Sequence, residues 1–175
     1  MNRENNPDLE RLAGRIRECL KRGQKVAVLG VGTELRRDDF AGVRVAMEVQ
    51  ARGHTLIKGF AGHSSPENIT SEIIRFAPAL TVLVDAAALG LEPGEVRLIN
   101  RADIGGLNCS GHALPLNLVL DYLEQGCGCE VMVLGIQPGD VSFGEGLTPA
   151  LEAAVAMCVG VICGEGHRST RKPKG

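Results

Sequence analysis

The sequence predicts an α/β fold, a three-layer α/β/α sandwich around a sheet of about five strands that is mostly parallel with one antiparallel edge strand. Short apolar runs rich in β-branched residues alternate with helical patterns, which is typical of parallel strands covered on both faces. The fourth predicted strand follows the third with no helix between them, so we expect it to run antiparallel at the edge. With 175 residues, the chain has the length of one domain, which we expect over residues 1–165.

Glycines and prolines divide the first half of the chain into elements. Asn6 is placed to cap a helix that begins at Pro7, because proline is favoured in the first helical turn. Gly53 ends a second helix, and Pro66 begins a third. The predicted elements are a helix over 7–22, a strand over 25–31, a helix over 40–52, a strand over 54–58, a helix over 66–76 and a strand over 80–84.

The second half of the chain continues the alternation of strands and helices. The Pro93-Gly94 turn introduces the fourth strand, Pro115 precedes an amphipathic helix, and Thr148 opens the last helix. The predicted elements are a strand over 95–99, a helix over 116–124, a strand over 130–134 and a helix over 149–163. We expect the basic tail over 166–175 to be disordered.

Composition and charge exclude several classes of partner. A net charge of −2 and an aromatic content of 3% provide neither the basic surface nor the stacking rings of a nucleic-acid-binding protein. No apolar run approaches the roughly 20 residues that span a membrane, and the first residues, MNRENNPDLE, are too polar for a secretory leader. We therefore expect a cytoplasmic protein with free thiols; for Cys127 and Cys129, in QGCGCE, a metal or redox role is the alternative.

The most informative segment, VAVLGVGTELRRDDFAG, runs from the first strand through a glycine turn into the next helix. Gly30 and Gly32 are similar to the start of a dinucleotide fingerprint, but Leu35 stands where the third glycine is required, and no P-loop lysine is present. Asp38 and Asp39 would also repel a pyrophosphate. The segment instead puts carboxylates at the carboxyl end of a strand, where open α/β sheets bind ligands.

Three polar residues stand at the ends of predicted elements: Asp39 after the first strand, Asp85 after the third, and His112 before a helix. Two carboxylates and an imidazole suit a three-ligand metal site with an open position, and the set is compatible with zinc, nickel, manganese or iron. Each residue also has a purely structural interpretation: Asp39 as a helix cap, Asp85 as a turn former and His112 as a loop histidine. We expect Asp39 and His112 to face solvent in a cleft.

Other polar residues are weaker candidates for the same site. His63, in AGHSS, is interpreted as a loop histidine, with a place in the cleft as the alternative. Glu34 and Asp38 are close enough in sequence to Asp39 to support it as neighbouring carboxylates. The sequence contains no GxSxG or HExxH motif, so a hydrolytic reaction would use water as the nucleophile.

Four segments spread over Lys25–Ile162 carry a resemblance to one family. They are GVGTELRRDD, LVDAAALGLEPGEVRLI, SGHALPLNLVLDYL and LGIQPGDVSFGEGLTPALEAAV. In this order they resemble the motifs of the hydrogenase maturation endopeptidases, which process the large subunit of NiFe hydrogenases. The HxxPL and GIQP segments are most similar to the branch that serves hydrogenase 3 of formate hydrogenlyase.

The resemblance implies a peptide-bond hydrolase that removes the C-terminal extension of a large-subunit precursor once nickel is in place. By motif position, Asp39, Asp85 and His112 correspond to the family's metal ligands and form the implied catalytic site. The implied metal is the nickel that the precursor carries, for which other divalent ions substitute. The implied fold is an α/β sandwich with a five-stranded sheet, and we expect a monomer whose partner is the precursor.

The resemblance has two departures and leaves two alternatives. Thr33 stands where the family has asparagine, and Phe40 stands where it has glycine, so the local turn is expected to differ. One alternative is a non-catalytic nickel-checkpoint or chaperone module that binds the precursor, which the missing side-chain nucleophile keeps open. The other is a general metallopeptidase for small peptides, which would turn over unrelated substrates.

Overall fold

The computed structural model describes residues 6–106 and 116–165. In these two ranges the chain forms five α-helices and one sheet of five strands. In chain order they are α1 (Pro7–Lys21), β1 (Val26–Val31), α2 (Ala41–Ala51), β2 (Ile57–His63), α3 (Thr70–Phe76), β3 (Leu80–Ala86), β4 (Val96–Ile99), α4 (Leu116–Cys127), β5 (Glu130–Ile136) and α5 (Pro149–Ile162). Short 3-10 helices precede α2, α3 and α4, over Arg37–Phe40, Pro66–Ile69 and Arg101–Gly106.

The sheet has the strand order β2-β1-β3-β5-β4. All neighbouring strands are parallel except β4 and β5, which are antiparallel. This arrangement confirms the predicted fold class, including the antiparallel strand at the edge. From β1 the chain moves outward to β2, and it then crosses back to β3 on the other side of β1, so the strand order reverses between β1 and β3.

Two hydrophobic clusters cover the two faces of the sheet. Alternate residues of β1 divide between them: Val28 belongs to the cluster with α1, α2 and α5, and Leu29 belongs to the cluster with α3 and α4. The strands β1 and β3 are buried along their whole length, which explains their continuous apolar sequences. Helices on both faces of one sheet make the three layers that the sequence predicts.

The predicted N-terminal helix is present, and its cap also binds the edge of the sheet. The Asn6 side chain accepts hydrogen bonds from the amides of Asp8 and Leu9, and its own amide nitrogen donates to the carbonyl of Val96 at 3.0 Å. The Asp8 carboxylate accepts from the amide of Leu98 at 3.1 Å. Two side chains of the first helical turn therefore attach α1 to β4.

The prediction of the second strand over 54–58 was wrong in position. The strand β2 begins at Ile57 and continues to His63, and His54 lies in the preceding turn, where its ring nitrogen accepts from the amide of Leu56 at 3.1 Å. Gly59 lies one residue beyond the predicted end of the strand. Gly59 is instead required inside the strand, because a side chain there would overlap the backbone of Ala46 in α2.

Smaller differences occur at the ends of other elements. The strand β3 extends past Val84, so that Asp85 pairs with Gly135 and lies inside the strand. The helix α4 continues to Cys127, three residues beyond its predicted end. The predicted helices over 40–52 and 66–76 each begin with a 3-10 turn. The basic tail, 166–175, lies outside the described residues.

No helix within the described ranges is long and apolar enough to cross a membrane.

The start of α2 lies directly against the backbone of β1 and β3. A Cβ atom at Gly42 would overlap the carbonyl oxygens of both Val31 and Val84, and one at Gly30 would overlap the carbonyl of Gly42. These glycines are therefore required for close packing of a helix on two strands, and this requirement accounts for the glycine turn without a bound nucleotide.

We expect Gly42→Ala to lower the free energy of unfolding by about 1–3 kcal/mol or more, because the added methyl group must displace backbone atoms on two strands. Gly14→Ala is the matched control, because Gly14 lies in α1 and an added Cβ would meet open space. Its free energy of unfolding should rise by about 0.5–1 kcal/mol. Urea denaturation of the two variants measures both effects. Equal midpoints would contradict the close packing described for Gly42.

Candidate functional site

The candidate site lies at the carboxyl ends of β1 and β3, where the strand order reverses. In open α/β sheets this position forms a crevice that binds ligands. Asp39 lies in the 3-10 turn that follows β1, and Asp85 is the penultimate residue of β3. The start of α2 contacts the ends of both strands. The fold therefore brings these two predicted ligands to one edge of the sheet.

Both carboxylates are buried. Asp39 is 2% exposed and Asp85 is 1% exposed. The expectation that Asp39 faces solvent was therefore wrong: the 3-10 turn folds its side chain back over the glycine turn, where the protein covers it. A buried carboxylate requires hydrogen bonds or a cation to offset its lost hydration, so its immediate neighbours decide what it can do.

The carboxylate of Asp39 is held by the glycine turn that precedes it. Its Oδ2 accepts from the amide of Thr33 at 2.9 Å. Gly32, at φ +136°, allows the backbone of Asp39 to come so close that any side chain at position 32 would overlap it. Among the described residues, no side chain caps α2, whose N-cap is Phe40. The interpretation of Asp39 as a helix cap is therefore wrong.

The two departures from the family pattern are compatible with this turn. Asp39 is bound by the backbone amide of Thr33, which any residue except proline supplies. The Thr33 hydroxyl accepts from the amide of Leu35 at 3.4 Å and so belongs to the same turn. Phe40 has φ −75° and ψ −7°, in the right-handed helical region, so its backbone does not require glycine.

Asp38 is completely buried and accepts four hydrogen bonds. Its Oδ2 accepts from the amides of Gly139 and Asp140, at 2.8 and 2.9 Å, and from the Thr148 hydroxyl at 3.0 Å. Its Oδ1 accepts from the amide of Thr148 at 2.7 Å. Asp38 therefore joins the turn after β1 to the loop between β5 and α5, more than 100 residues away in sequence.

Backbone pairing strengthens the same connection. The amide of Arg37 donates to the carbonyl of Gly144, and the amide of Gly144 donates to the carbonyl of Leu35, both at 2.9 Å. The Arg36 guanidinium donates to the carbonyl of Val141 at 3.2 Å. Asp38 was predicted only to support Asp39 as a neighbouring carboxylate, and its role in joining the two segments was not predicted. Thr148 before Pro149 was the available signal, but it was interpreted only as the opening of α5.

The side chain of Gln137 holds the segment that follows β3 in place by hydrogen bonds. The Gln137 side-chain oxygen accepts from the amides of Leu89 and Leu91, at 2.7 and 3.3 Å. The backbone of Gln137 also donates to Glu95 and accepts from Gly94. Because β5 ends next to Gln137, the turn after Asp85 and the loop that binds Asp38 are attached to the same strand.

The third predicted ligand, His112, lies outside the described residues. Among the residues that the structure describes, no group of three histidine, cysteine, aspartate or glutamate side chains is arranged to hold a metal. His63 is exposed at the end of β2, with φ +50°, and its carbonyl accepts from the amide of Gly32. Glu34 is exposed, and no observed contact supports the expectation that it assists Asp39.

The cysteine pair of the CGC segment lies at the opposite end of the sheet. Cys129 precedes β5, and its sulfur lies 3.4 Å from the Thr81 hydroxyl near the start of β3. Burial raises the pKa of the Cys127 thiol to about 11, with a further contribution from Cys129, so this thiol is protonated at neutral pH. A redox or metal role at the candidate site is therefore excluded for this pair by its location.

The sequence matches a known family model and curated relatives. The model described as HycI hydrogenase maturation protease matches residues 43–165, a range that includes Asp85 and His112 and begins after Asp39. The chain is 37% identical over 131 residues to the hydrogenase 3 maturation protease of Escherichia coli K12. That alignment covers 73% of this chain and 82% of the relative.

Solved structures give the same result. A NiFe hydrogenase maturation protease HycI from Thermococcus kodakarensis superposes with a TM-score of 0.70 at 26% identity, over 80% of this chain and 93% of that chain. The solution structure of the endopeptidase HycI from Escherichia coli superposes with a TM-score of 0.69 at 34% identity, over 81% and 92% of the two chains.

We expect Asp38→Asn to lower the free energy of unfolding by about 2–5 kcal/mol. An amide of the same shape presents one oxygen instead of two, so donors from the 139–148 loop lose their acceptor in a buried place. Urea denaturation measures the change, with Glu34→Gln as the control because Glu34 is exposed and should change stability by less than about 0.5 kcal/mol. If the two variants were equally stable, the loop would not depend on Asp38.

Proposed function

The chain belongs to the hydrogenase maturation protease family, and from this premise we propose that it is a nickel-dependent endopeptidase that removes the C-terminal extension of a NiFe hydrogenase large-subunit precursor. The observation that carries the proposal is the pair of buried carboxylates, Asp39 and Asp85, at the reversal of the strand order. Carboxylates brought to such a crevice by two different strands suit a cation-bearing substrate.

We assign the nickel ligands to Asp39, Asp85 and His112. The nickel belongs to the precursor, so it is part of the substrate and not a resident cofactor of this chain. Oδ2 of Asp39 is engaged by Thr33, and we assign its other oxygen, Oδ1, to the metal. The amide of Thr33 fixes the orientation of the carboxylate before substrate arrives, which reduces the ordering needed on binding.

The proposed reaction is hydrolysis of one peptide bond. The sequence contains no recognised serine or cysteine nucleophile motif, so water is the proposed nucleophile. Nickel held between the precursor and the three ligands would place the scissile carbonyl at the edge of the sheet and polarise it. Without nickel the ligands have nothing to hold, which explains how a single cut is coupled to metal loading.

The partner and compartment follow from the same proposal. The partner is the precursor of a hydrogenase large subunit, and the similarity to the hydrogenase 3 maturation protease favours a substrate of that class. We place the reaction in the cytoplasm, because the five described cysteines are free thiols and a reducing compartment keeps them so. We also propose that the protein acts as a monomer.

One experiment distinguishes the proposed endopeptidase from the two alternatives, a non-catalytic checkpoint module and a general metallopeptidase. The protein is mixed with purified precursor, with and without nickel, and the mass of the precursor is followed by mass spectrometry. The proposed endopeptidase removes one fragment only from nickel-loaded precursor. A checkpoint module would bind that precursor without a change in mass, and a general metallopeptidase would also cleave unrelated peptides.

We expect Asp39→Asn and His112→Ala each to slow precursor cleavage by more than about a hundredfold, because each variant loses one of three ligands that position the nickel-bearing segment. In Asp39→Asn the amide oxygen can still accept from Thr33, so the melting temperature should change little. Cys127→Ser, at the far end of the sheet, is the control and should cleave at the normal rate. Normal cleavage by Asp39→Asn would show that Asp39 does not bind the metal.

We also expect the protein alone to hold metal weakly, since part of the coordination comes from the precursor. After dialysis against a chelator, elemental analysis should find well below one equivalent of nickel or zinc per chain. The same measurement on the complex with nickel-loaded precursor should find nickel retained. A stoichiometric metal that survives the chelator in the free protein would indicate a resident metal site and contradict the proposal that the substrate supplies it.

A further inference from the structure

Three large apolar side chains are exposed on the two segments that Asp38 joins. Leu35 is 50% exposed, Val141 is 38% exposed and Phe143 is 82% exposed. We refer to these three residues as the apolar platform. Their backbones are neighbours, because Leu35 pairs with Gly144 and Arg36 binds the carbonyl of Val141.

The loop that carries the apolar platform is fixed by hydrogen bonds. Four bonds to the Asp38 carboxylate hold its two ends, at Gly139 and Thr148, and the pairing with Gly144 holds its middle. Its exposed phenylalanine is therefore presented on an ordered backbone. A loop that is anchored in this way can bind a partner without the cost of being ordered first.

One residue of the apolar platform belongs to the turn that carries Asp39. Leu35 lies in the short segment between Thr33, which binds the Asp39 carboxylate, and Asp38, which anchors the loop. An endopeptidase must hold the residues on either side of the bond that it cuts, and those residues pass over the surface next to the site. Exposed apolar side chains at that position suit an apolar stretch of substrate.

We propose that the apolar platform binds an apolar segment of the large-subunit precursor next to the scissile bond, with Phe143 as the main specificity-determining residue. This inference rests on the proposed function, because it takes the precursor as the occupant. It adds a second point of recognition: nickel selects the loaded precursor, and the apolar platform selects the polypeptide that carries it. The apolar segment and the nickel would then have to be presented together.

The test is steady-state cleavage of nickel-loaded precursor by Phe143→Ser and Leu35→Ser. We expect KM to rise about tenfold or more for Phe143→Ser, with kcat within about twofold of the wild type, because the side chain contributes to substrate binding and not to the reaction itself. Met47→Ser is the matched control, since Met47 is 49% exposed on α2 and lies outside the apolar platform. An unchanged KM for Phe143→Ser, or an equal rise for Met47→Ser, would overturn the proposal.

A binding measurement separates this proposal from the proposed function. Calorimetry with nickel-loaded precursor should show affinity about tenfold lower for Phe143→Ser than for the wild type, whether or not cleavage occurs. If the wild type binds but does not cut, the proposed function fails, and the loss of affinity in the variant still supports the apolar platform. If the wild type neither binds nor cuts, both fail.

A second copy of this chain is the other partner that could cover the apolar platform. Sedimentation of the wild type and of Phe143→Ser in the absence of precursor tests it. A dimer that Phe143→Ser dissociates, together with unchanged affinity for the precursor, would assign the apolar platform to a second copy of this chain and overturn the proposal. Equal sedimentation of the two proteins, with weaker precursor binding by the variant, supports it.

Discussion

The contact between the start of α2 and the carboxyl ends of β1 and β3 is the constraint on which the rest of the structure depends. Gly30 and Gly42 allow backbone to pack on backbone there, and a side chain at either would force the helix away from the sheet. Gly32 likewise allows the backbone of Asp39, in the 3-10 turn, to come close. Because the helix lies so close, the chain between β1 and α2 is folded into a compact turn at the edge of the sheet. That turn carries the two adjacent aspartates.

The two aspartates have different environments although they are neighbours in sequence. Asp38 uses both oxygens to accept bonds from the loop before α5, so it is fully engaged in joining distant parts of the chain. Among the described residues, the bond that the Asp39 carboxylate accepts comes from the amide of Thr33, in the preceding turn. The difference arises from the 3-10 geometry, which directs consecutive side chains to different sides. Asp38 therefore has a structural role, and Asp39, the next residue of the same turn, is the one proposed to bind the metal.

The sequence predicts most of the fold because local signals and packing agree over most of the chain. Apolar runs identify β1 and β3, Asn6 and Pro7 identify the start of α1, and the missing helix before β4 identifies the antiparallel edge. The position of β2 was predicted wrongly, because Gly59 is a strand residue only in the presence of α2. The contact with α2 determines that Gly59 lies in a strand, and the local sequence propensity of this segment does not reveal that contact.

The site was predicted less completely, for a related reason. Asp39 follows β1 and Asp85 lies near the carboxyl end of β3. Because the carboxyl ends of parallel strands meet at one edge of a sheet, this placement could be predicted from the sequence. The burial of Asp39 and the partners of Asp38 depend on loops that meet only in the folded chain, and no spacing within GVGTELRRDD reveals them. His112 stays a prediction, because it lies outside the described residues.

The attachment of α1 to β4 has a consequence for behaviour at high concentration. β4 is an edge strand, and its outward-facing backbone groups are a template on which a strand of another molecule can add. The Asn6 side chain already donates a hydrogen bond to the carbonyl of Val96, and the Asp8 carboxylate already accepts one from the amide of Leu98. Two short polar side chains thus block this edge against intermolecular β-sheet growth, and the N-terminal helix acts as protection against aggregation.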